Sequence, residues 1–437
     1  MQNLIWDGFI RPIPGVTRLT ESSIATGKAI TGGHKHYSSE GGTAARLVAY
    51  DTTISSISDS GTATTLTSTM TTGGNTYFST WSITSRTYIS NGLDTLRYFQ
   101  TGSIFDITGT AIPLALGPVV PVLDRLLCIT ADGIERTDPR DDSVWSADST
   151  WATLRPQRPG LFTVLHPMTL IGTDSQIPGA VALQPTAYYH IAGTDFGADV
   201  TAGSASSGED VSITLIDPTV GGSSPKAICT IPEVGTAWLT TDGNVYFVPA
   251  GSLHGRLVGN NLFSNSPVTG LNNINFAAID KAWMIYFDNK LLLGVPTGSS
   301  TYSNTQYWLD VRHLRSIQDQ DIVPWYGPMN IDTWSCVWRE DQEGDLRLMA
   351  GEGNSANNAY IYQAFQKTTQ AHAQGSSTVY PTCIYQDRHL PLETGKKTKY
   401  PQAFRVTGSI NGGTVRGGVV ALGSPVLFQQ ALDAYTE

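Results

Sequence analysis

Short apolar runs separated by polar turn residues recur along the whole chain. The stretch GTAWLTTDGNVYFVPAG, residues 235–251, has one apolar run, then Asp242-Gly243, then a second apolar run. Similar pairs of runs flank Asn91-Gly92, Asp132-Gly133 and Asp288-Asn289. Such dipeptides tolerate positive φ at both central positions of a type I′ turn, whose twist matches two antiparallel strands. The pattern therefore predicts a long series of β-hairpins.

The spacing of these turns predicts the fold class. Their centres fall near residues 51, 91, 132, 242, 289 and 350, and several gaps match the roughly 40–50 residues of one four-stranded propeller blade. We predict an all-β protein, a β-propeller of six to seven blades with an inserted loop or arm and a small C-terminal β-module. The predicted boundaries are 1–20 for an N-terminal closing segment, 21–374 for the propeller with the insertion at about 190–230, and 375–437 for the module.

A closed ring suits this many hairpins on physical grounds. An isolated hairpin is marginal in water, and an open sheet leaves edges that invite aggregation. Radial stacking of small twisted sheets covers each apolar face with the next blade. Closing the ring usually needs one blade built from both chain ends, and the apolar N-terminal stretch NLIWDGFIRPIPG is predicted to contribute to it.

Composition and charge restrict the function. Only 15% of the 437 residues are charged, the net charge is −10 and the isoelectric point is about 5.2, which argues against wrapping nucleic acid through a general basic surface. No run of 18 apolar residues is present, so no membrane span is predicted. The first residues lack a basic region followed by an apolar one, so no signal peptide is expected.

The four cysteines are predicted to be buried and reduced. They are widely spaced, form no CxxC pair and lie inside strand-like runs; they are Cys128, Cys229, Cys336 and Cys383. In such positions a thiol behaves as a small hydrophobic group. We therefore expect synthesis in a reducing cytoplasm.

A search for catalytic or metal-binding chemistry finds no motif above background. His34 and His36 are two residues apart, so they would share one face of a strand and could chelate a metal; surface histidines are the favoured interpretation, and a metal shared across a symmetric ring remains open. Two acid-rich spots are interpreted as solvated turn residues: Asp138, Asp141 and Asp142, and then Glu340, Asp341, Glu343 and Asp345. No catalytic, cofactor-binding or metal site is predicted, and no cofactor.

Several stretches, in order, resemble a known family. They are WDGFIRPIPGVTRL (6–19), TYISNGLDTLRYF, then IPLALGPVVPVLDRLLCITADGIERTDPRDDSVW, the 235–251 hairpin, LLLGVPTG with NTQYWLDVRHLRS, and ETGKKTKYPQAFRV. Each motif is degenerate, and their order along most of the chain carries the resemblance. Together they are similar to the tail nozzle or hub proteins of short-tailed bacteriophages, which are β-propeller virion proteins.

The resemblance implies a structural and non-enzymatic role. It implies a ring, usually a homo-oligomer of six copies, that lies below the portal and adaptor and extends the channel for DNA ejection. The implied partners are the adaptor or head-to-tail connector, tail fibre or spike proteins, and genomic DNA in transient passage. The implied location is the virion tail after synthesis in the host cytoplasm.

Charge patterning adds two hypotheses to this picture. An acidic lumen would repel phosphates and let DNA slide, so the negative charge is expected to face the lumen. A basic cluster near the C-terminus is expected to contact a neighbouring subunit or the adaptor; its members are Lys396, Lys397, Lys399, Arg405 and Arg416.

Two other functions remain open from the sequence. Ten Trp and eighteen Tyr would allow a carbohydrate-binding or receptor-binding propeller of the tail, in which exposed rings stack on sugars. A propeller glycosidase is the third alternative and would need two carboxylates about 5–9.5 Å apart across a cleft.

Overall fold

The architecture is that of a computed structural model. It describes residues 4–6, 10–12, 14–37, 44–109, 112–138, 140–145, 153–171, 176–193, 211–259, 274–315, 323, 325–329, 332–342, 345–366, 372–379, 415–419 and 428–432. The chain divides into two compact units, residues 1–386 and 387–437. The first unit is a β-propeller of seven blades, which confirms the predicted fold class.

Each of the first six blades is a four-stranded antiparallel sheet whose strands follow one another along the chain. A hairpin and a single strand precede the first blade: β1 (Leu4–Trp6), β2 (Ile10–Pro12) and β3 (Gly15–Arg18). Blade one contains β4 (Ile30–His36), β5 (Ala45–Tyr50), β6 (Thr53–Ile57) and β7 (Ala63–Thr67). Blade two contains β8 (Tyr77–Trp81), β9 (Arg86–Ser90), β10 (Arg97–Gln100) and β11 (Ser103–Asp106). Blade three contains β12 (Val120–Val122), β13 (Arg125–Ile129), β14 (Ile134–Asp138) and β15 (Asp141–Trp145).

The remaining blades keep the same order. Blade four contains β16 (Val164–Ile171), β17 (Gln176–Gln184), β18 (Ala187–Gly193) and β19 (Val211–Asp217). Blade five contains β20 (Ile228–Ile231), β21 (Gly235–Leu239), β22 (Val245–Pro249) and β23 (Arg256–Leu257). Blade six contains β24 (Trp283–Phe287), β25 (Lys290–Val295), β26 (Thr305–Asp310) and β27 (Trp325–Met329). The seventh contains β28 (Trp334–Gln342), β29 (Asp345–Glu352) and β30 (Ile361–Gln366), and is followed by β31 (His372–Gln374) and β32 (Ser377–Val379). The second unit contains the hairpin of β33 (Val415–Val419) and β34 (Phe428–Leu432).

The first strands of the blades line the central axis. Strand β4 contacts β8 on one side and β28 on the other, and β24 contacts β20 and β28. Side-chain hydrogen bonds between blades one and two, from Thr31 to Thr76 and from His34 to Thr80, show that these inner strands lie side by side and run in the same direction. The seven inner strands therefore surround a channel.

Both ends of the propeller chain close the ring. Strand β3 pairs antiparallel with β30 and supplies the fourth strand of the seventh blade. On its other side β3 pairs in parallel with β31 through Val16 and His372, and β32 extends this sheet. Because β3 covers the edge of β30, the last blade has no open edge at that strand.

The core consists of apolar clusters, several of which span adjacent blades. One joins blade five to blade six, with Phe247 and Leu293 among its members, and another joins blade four to blade five around Trp238. Four tryptophans are almost completely buried: Trp81, Trp145, Trp238 and Trp283. Each blade thus buries its apolar faces against the next one, as radial stacking requires.

The turn chemistry agrees with the prediction at one hairpin and differs at another. Asp288 and Asn289 both have positive φ, 46° and 57°, as a type I′ turn between β24 and β25 requires. Between β21 and β22 only Gly243 has positive φ, 83°, and the amide of Thr240 donates to the carbonyl of Asn244. The Asp242-Gly243 hairpin therefore has a longer loop than the predicted type I′ turn.

Helical structure is short in the described part of the chain. It comprises the helix α1 (Arg312–Arg315) and two 3₁₀ segments, Phe276–Lys281 and Ser355–Asn357. None of the described helices is long and apolar enough to cross a membrane. Within the predicted insertion at 190–230, residues 211–217 and 228–231 form blade strands, and residues 194–210 lie outside the described part.

Candidate functional site

The central channel contains two cavities. The larger is about 590 Å³ and lies among β16, β20, β24 and β28, with His166, Thr230, Met284 and Arg339 on its walls. The smaller is about 180 Å³ and is lined by residues at the starts of the inner strands, including Tyr77 and Lys226. The larger cavity falls within the usual range for small-ligand pockets, 300–1,000 Å³.

Lys226 crosses the channel at the end where the inner strands begin. Lys226 precedes β20 in blade five, yet its ammonium donates a hydrogen bond to the carbonyl of Thr31 in blade one at 2.6 Å. It also lies 3.4 Å from Oδ1 of Asn75, before blade two, and 3.5 Å from the carbonyl of Ser335 in blade seven. This side chain therefore ties one half of the ring to the other and obstructs the axis.

The surroundings of this tie shift two ionisation equilibria. Removal of the Lys226 ammonium from water lowers its pKa to about 8, and the neighbouring Lys281 adds to that effect. Burial raises the pKa of Tyr77 to about 12, although Asn75 stabilises its charged form. With a pKa of about 8 the ammonium is still charged at pH 7, and three acceptor oxygens lie within hydrogen-bond distance of it.

His34 and His36 lie on one face of β4, as expected, but they are not surface residues. His36 is only 2% exposed and His34 is half-buried. Nε2 of His34 lies 2.7 Å from the hydroxyl of Thr80, which lies 2.7 Å from the hydroxyl of Thr87, and Thr87 lies 2.9 Å from Nδ1 of His36. The pair bridges blades one and two, and the interpretation as surface histidines is wrong because the neighbouring blade covers them.

The same arrangement recurs between blades four and five. Nε2 of His166 on β16 lies 3.0 Å from the hydroxyl of Thr230 on β20, which lies 3.2 Å from the hydroxyl of Thr236 on β21. Protein surrounds both channel imidazoles closely even though part of each ring is accessible. Burial lowers the pKa of His34 and of His166 to about 4, so both are neutral at pH 7.

Sequence inspection misses this His–Thr–Thr relay because its members are far apart in the chain. The histidine and the first threonine are separated by 46 residues in one relay and by 64 in the other. The two threonines, in contrast, are register partners across a hairpin, Thr80 with Thr87 and Thr230 with Thr236. A threonine pair flanking a hairpin turn was therefore the detectable half of the signal.

The larger cavity carries one charge of each sign. Arg339 on β28 and Glu233, in the turn after β20, both line it and are exposed. Within the described part of the chain, neither side chain makes a hydrogen bond or an ion pair. Apolar side chains, including Met168, Ile285 and Met284, lie between these polar groups.

Two of the predicted solvated acids are buried in strands instead. Asp142 on β15 accepts from Arg86 of blade two at 2.5 Å and from the hydroxyl of Tyr88 at 2.7 Å. Glu340 on β28 is 1% exposed and forms an ion pair with Arg46 of blade one. Both carboxylates contact an arginine of a neighbouring blade, so their charge fixes a seam and the turn interpretation is wrong for them.

The other described acids of these spots are less deeply buried. Asp141 and Asp345 are exposed at strand ends and Asp341 is exposed on β28, whereas Asp138 is half-buried. Glu343 lies outside the described residues. Among the carboxylates of the two spots, none lines the larger cavity.

The cysteines that can be placed agree with the prediction. Cys128, Cys229 and Cys336 are buried and free, and burial raises the pKa of each thiol. Cys383 lies outside the described residues, as do Lys396, Lys397, Lys399 and Arg405 of the basic cluster; Arg416 lies on β33. Within the described ranges, no group of three or more His, Cys, Asp or Glu side chains could hold a metal ion.

Comparisons with known proteins agree with the fold only. No family model matches the chain, and no curated protein matches it. Similar solved structures include BBS1N in complex with ARL6DN, at 9% identity and TM-score 0.46, covering 84% of this chain and 98% of that one. YCF48 from Cyanidioschyzon merolae gives 10% identity and TM-score 0.46 over 81% of this chain and 100% of that one.

An ancestral GH74 enzyme is also similar in structure. It gives 10% identity and TM-score 0.44, covering 83% of this chain and 50% of that one. Identities this low say nothing of a shared activity.

Proposed function

We propose that the protein is a structural component of a bacteriophage tail, a nozzle or hub whose copies form a ring around the DNA-ejection channel. The ordered resemblance of its motifs to tail nozzle and hub proteins is the observation that carries this proposal. The seven-bladed ring supports it, since those proteins are propellers. The proposal includes a non-enzymatic role and assembly as a homo-oligomer of six copies.

The path of DNA in this proposal lies outside the propeller axis. Lys226 links blades five, one and seven across that axis, and the channel cavities measure only about 590 and 180 Å³. Duplex DNA, whose major groove alone is about 12 Å wide, does not fit there. DNA would therefore pass through the centre of the oligomer, along a surface built from several copies.

Buried charge pairs support a mechanical role. Arg46–Glu340 and Arg86–Asp142 each join two neighbouring blades. An arginine that reaches across a seam resists the sliding of one blade against the next. A ring under pressure from passing DNA would need such resistance.

Two features weigh against the alternatives. Of the tryptophans whose exposure is described, seven are buried and Trp325 is half-buried, which leaves no exposed indole in that set for stacking on sugars. Among the residues that line the larger cavity, Glu233 is the single carboxylate. A glycosidase mechanism needs two.

Electron microscopy tests the proposal. Negative-stain images of the purified protein should show a sixfold ring, and labelled subunits should appear at the tail of the intact particle. A monomer at micromolar concentration, with no density at the tail, would overturn it. Binding on a glycan array, or turnover of a polysaccharide that is lost on mutating one acidic pair, would instead support one of the alternatives.

A second experiment addresses assembly contacts. Charge reversal at Lys396, Lys397 and Lys399 is expected to weaken the ring or its attachment to the adaptor, because a basic cluster suits an acidic partner surface. Sedimentation velocity of the triple variant measures this directly. Unchanged assembly would remove these lysines from the interface.

A further inference from the structure

The larger channel cavity has the chemistry of a ligand site that the structural role leaves unused. Its walls come from four blades and include Met168, Ile231, Met284 and Ile285. An apolar surface of this kind, with a few polar groups at defined places, is typical of small-ligand pockets. At about 590 Å³, it can hold a ligand of amino-acid or short-peptide size.

Two unpaired charges of opposite sign define what this cavity can recognise. Arg339 belongs to blade seven and Glu233 to blade five, so they stand on different walls. Neither has an ion-pair partner in the described part of the chain, whereas Arg347 on β29 of blade seven pairs with Asp345. A charge without a protein partner on a cavity wall is available to a ligand.

Arg339 is the anion-binding group of the pair. Its exposed side chain and Cys229 of blade five both line the cavity. A guanidinium matches a carboxylate with two parallel hydrogen bonds. His166 and Thr230 are already bonded to each other nearby, and the neutral imidazole adds no charge.

We propose that the larger channel cavity binds a short dipolar chain, with its carboxylate on Arg339, its ammonium on Glu233 and its apolar body against the methionine and isoleucine wall. Free ω-amino carboxylates have this chemistry. So does a C-terminal lysine of another polypeptide, since its carboxylate and ammonium are separated by an apolar stem. This site goes beyond the proposed structural role and does not depend on it.

Calorimetric titration of the full chain with 4-aminobutyrate, 6-aminohexanoate and 8-aminooctanoate tests the proposal. One chain length should bind best, because the two walls fix the separation of the charges. Hexanoate and hexylamine, which each lack one charge, should bind at least tenfold more weakly than the best dipolar probe. No binding of any dipolar probe up to 10 mM, or equal binding of the singly charged ones, would overturn the proposal.

Matched variants locate the binding site. Arg339→Gln and Glu233→Gln should each weaken binding of the best probe at least tenfold, whereas the controls Arg347→Gln and Glu21→Gln, both outside the cavity lining, should leave it unchanged. Ala250→Trp, at an exposed wall position, should block the cavity without disturbing the core. Binding that survives Arg339→Gln and Ala250→Trp in folded protein would place the ligand elsewhere and refute the assignment.

A competition experiment distinguishes the two sources of the ligand, a free ω-amino carboxylate and the C-terminal lysine of another polypeptide. The peptide acetyl-Ala-Ala-Lys with a free carboxylate should compete with the best ω-amino carboxylate if the site takes a chain end, and its C-terminal amide should not. Failure of the peptide beside binding of the free molecule would identify a small-molecule site. Either result leaves the tail-ring proposal to the microscopy described above.

Discussion

The buried ion pair between blades one and seven provides the sharpest test of how the ring is held closed. Nε and Nη2 of Arg46 donate to the two carboxylate oxygens of Glu340, each at 2.6 Å, and the two side chains are at most 1% exposed. The indole of Trp338 donates to the same carboxylate at 2.7 Å. Glu340→Gln keeps one acceptor oxygen for the indole, removes the negative charge and replaces the other acceptor of Arg46 with an amide NH2.

The expected cost follows from the burial of the arginine. Removing one partner of a buried pair leaves an uncompensated charge and typically costs about 3–5 kcal/mol. Arg46 retains the Ser58 carbonyl at 3.1 Å and the Asp59 carboxylate at 3.3 Å, so we expect the lower end, about 3 kcal/mol. Asp59→Asn is the matched control, since that carboxylate is 64% exposed and should contribute at most about 1 kcal/mol.

Urea unfolding followed by tryptophan fluorescence measures the difference as a shift of the midpoint at constant slope. The double variant Arg46→Met with Glu340→Gln should lose less unfolding free energy than the two single variants lose in sum, because no charge is then left buried. If Glu340→Gln destabilised the protein no more than Asp59→Asn, the pair would not hold this seam and the reasoning would be wrong.

Three further predictions concern the channel and the closure. Stability should rise between about pH 8 and 10.5, because the unfolded chain then keeps the proton that Lys226 has lost in the folded state; Lys226→Met should remove this rise in urea midpoints. Stability should fall as the pH drops from about 6.5 to 4, where unfolding allows the channel imidazoles to protonate; His166→Gln should reduce this loss in melting scans, and exposed His254→Gln should not. Val16→Asp, at a 3%-exposed position of β3, should lower the melting temperature by far more than exposed Thr17→Asp, and equal effects would exclude β3 as the closing strand.

The fold could be predicted from the sequence because its signals are local. Each hairpin has its apolar runs and its turn residues within about twenty positions, as between residues 235 and 251, and the blade length fixes the spacing. The turn type could be predicted only for the two-residue turn, in which both residues must adopt positive φ. Asp288-Asn289 connects β24 to β25 with two residues, whereas Asp242-Gly243 lies inside a longer loop.

The channel chemistry could not be predicted because blade neighbours are distant in the chain. Glu340 looked like a solvated turn acid beside Asp341, and only the packing of blade seven on blade one brings Arg46 to it across 294 positions. Lys226 gave no signal, since its acceptors are mainly backbone carbonyls of other blades. Sequence patterns specify which residues form a blade, and the ring decides which of their polar groups meet.

Polar contacts at the seams help to determine which blade packs against which. Apolar blade faces resemble one another, so apolar burial alone distinguishes poorly between correct and shifted neighbours. The ion pairs differ between seams, with Arg46–Glu340 between blades seven and one and Arg86–Asp142 between blades two and three, whereas the His–Thr–Thr relay occurs at two seams. A shifted blade would bury one of these groups without its partner, at a cost of about 1–3 kcal/mol for a neutral group and more for a charge. Among the buried charged residues, Arg46, Glu340 and Asp142 each form an ion pair across a seam, and these pairs favour the right neighbour.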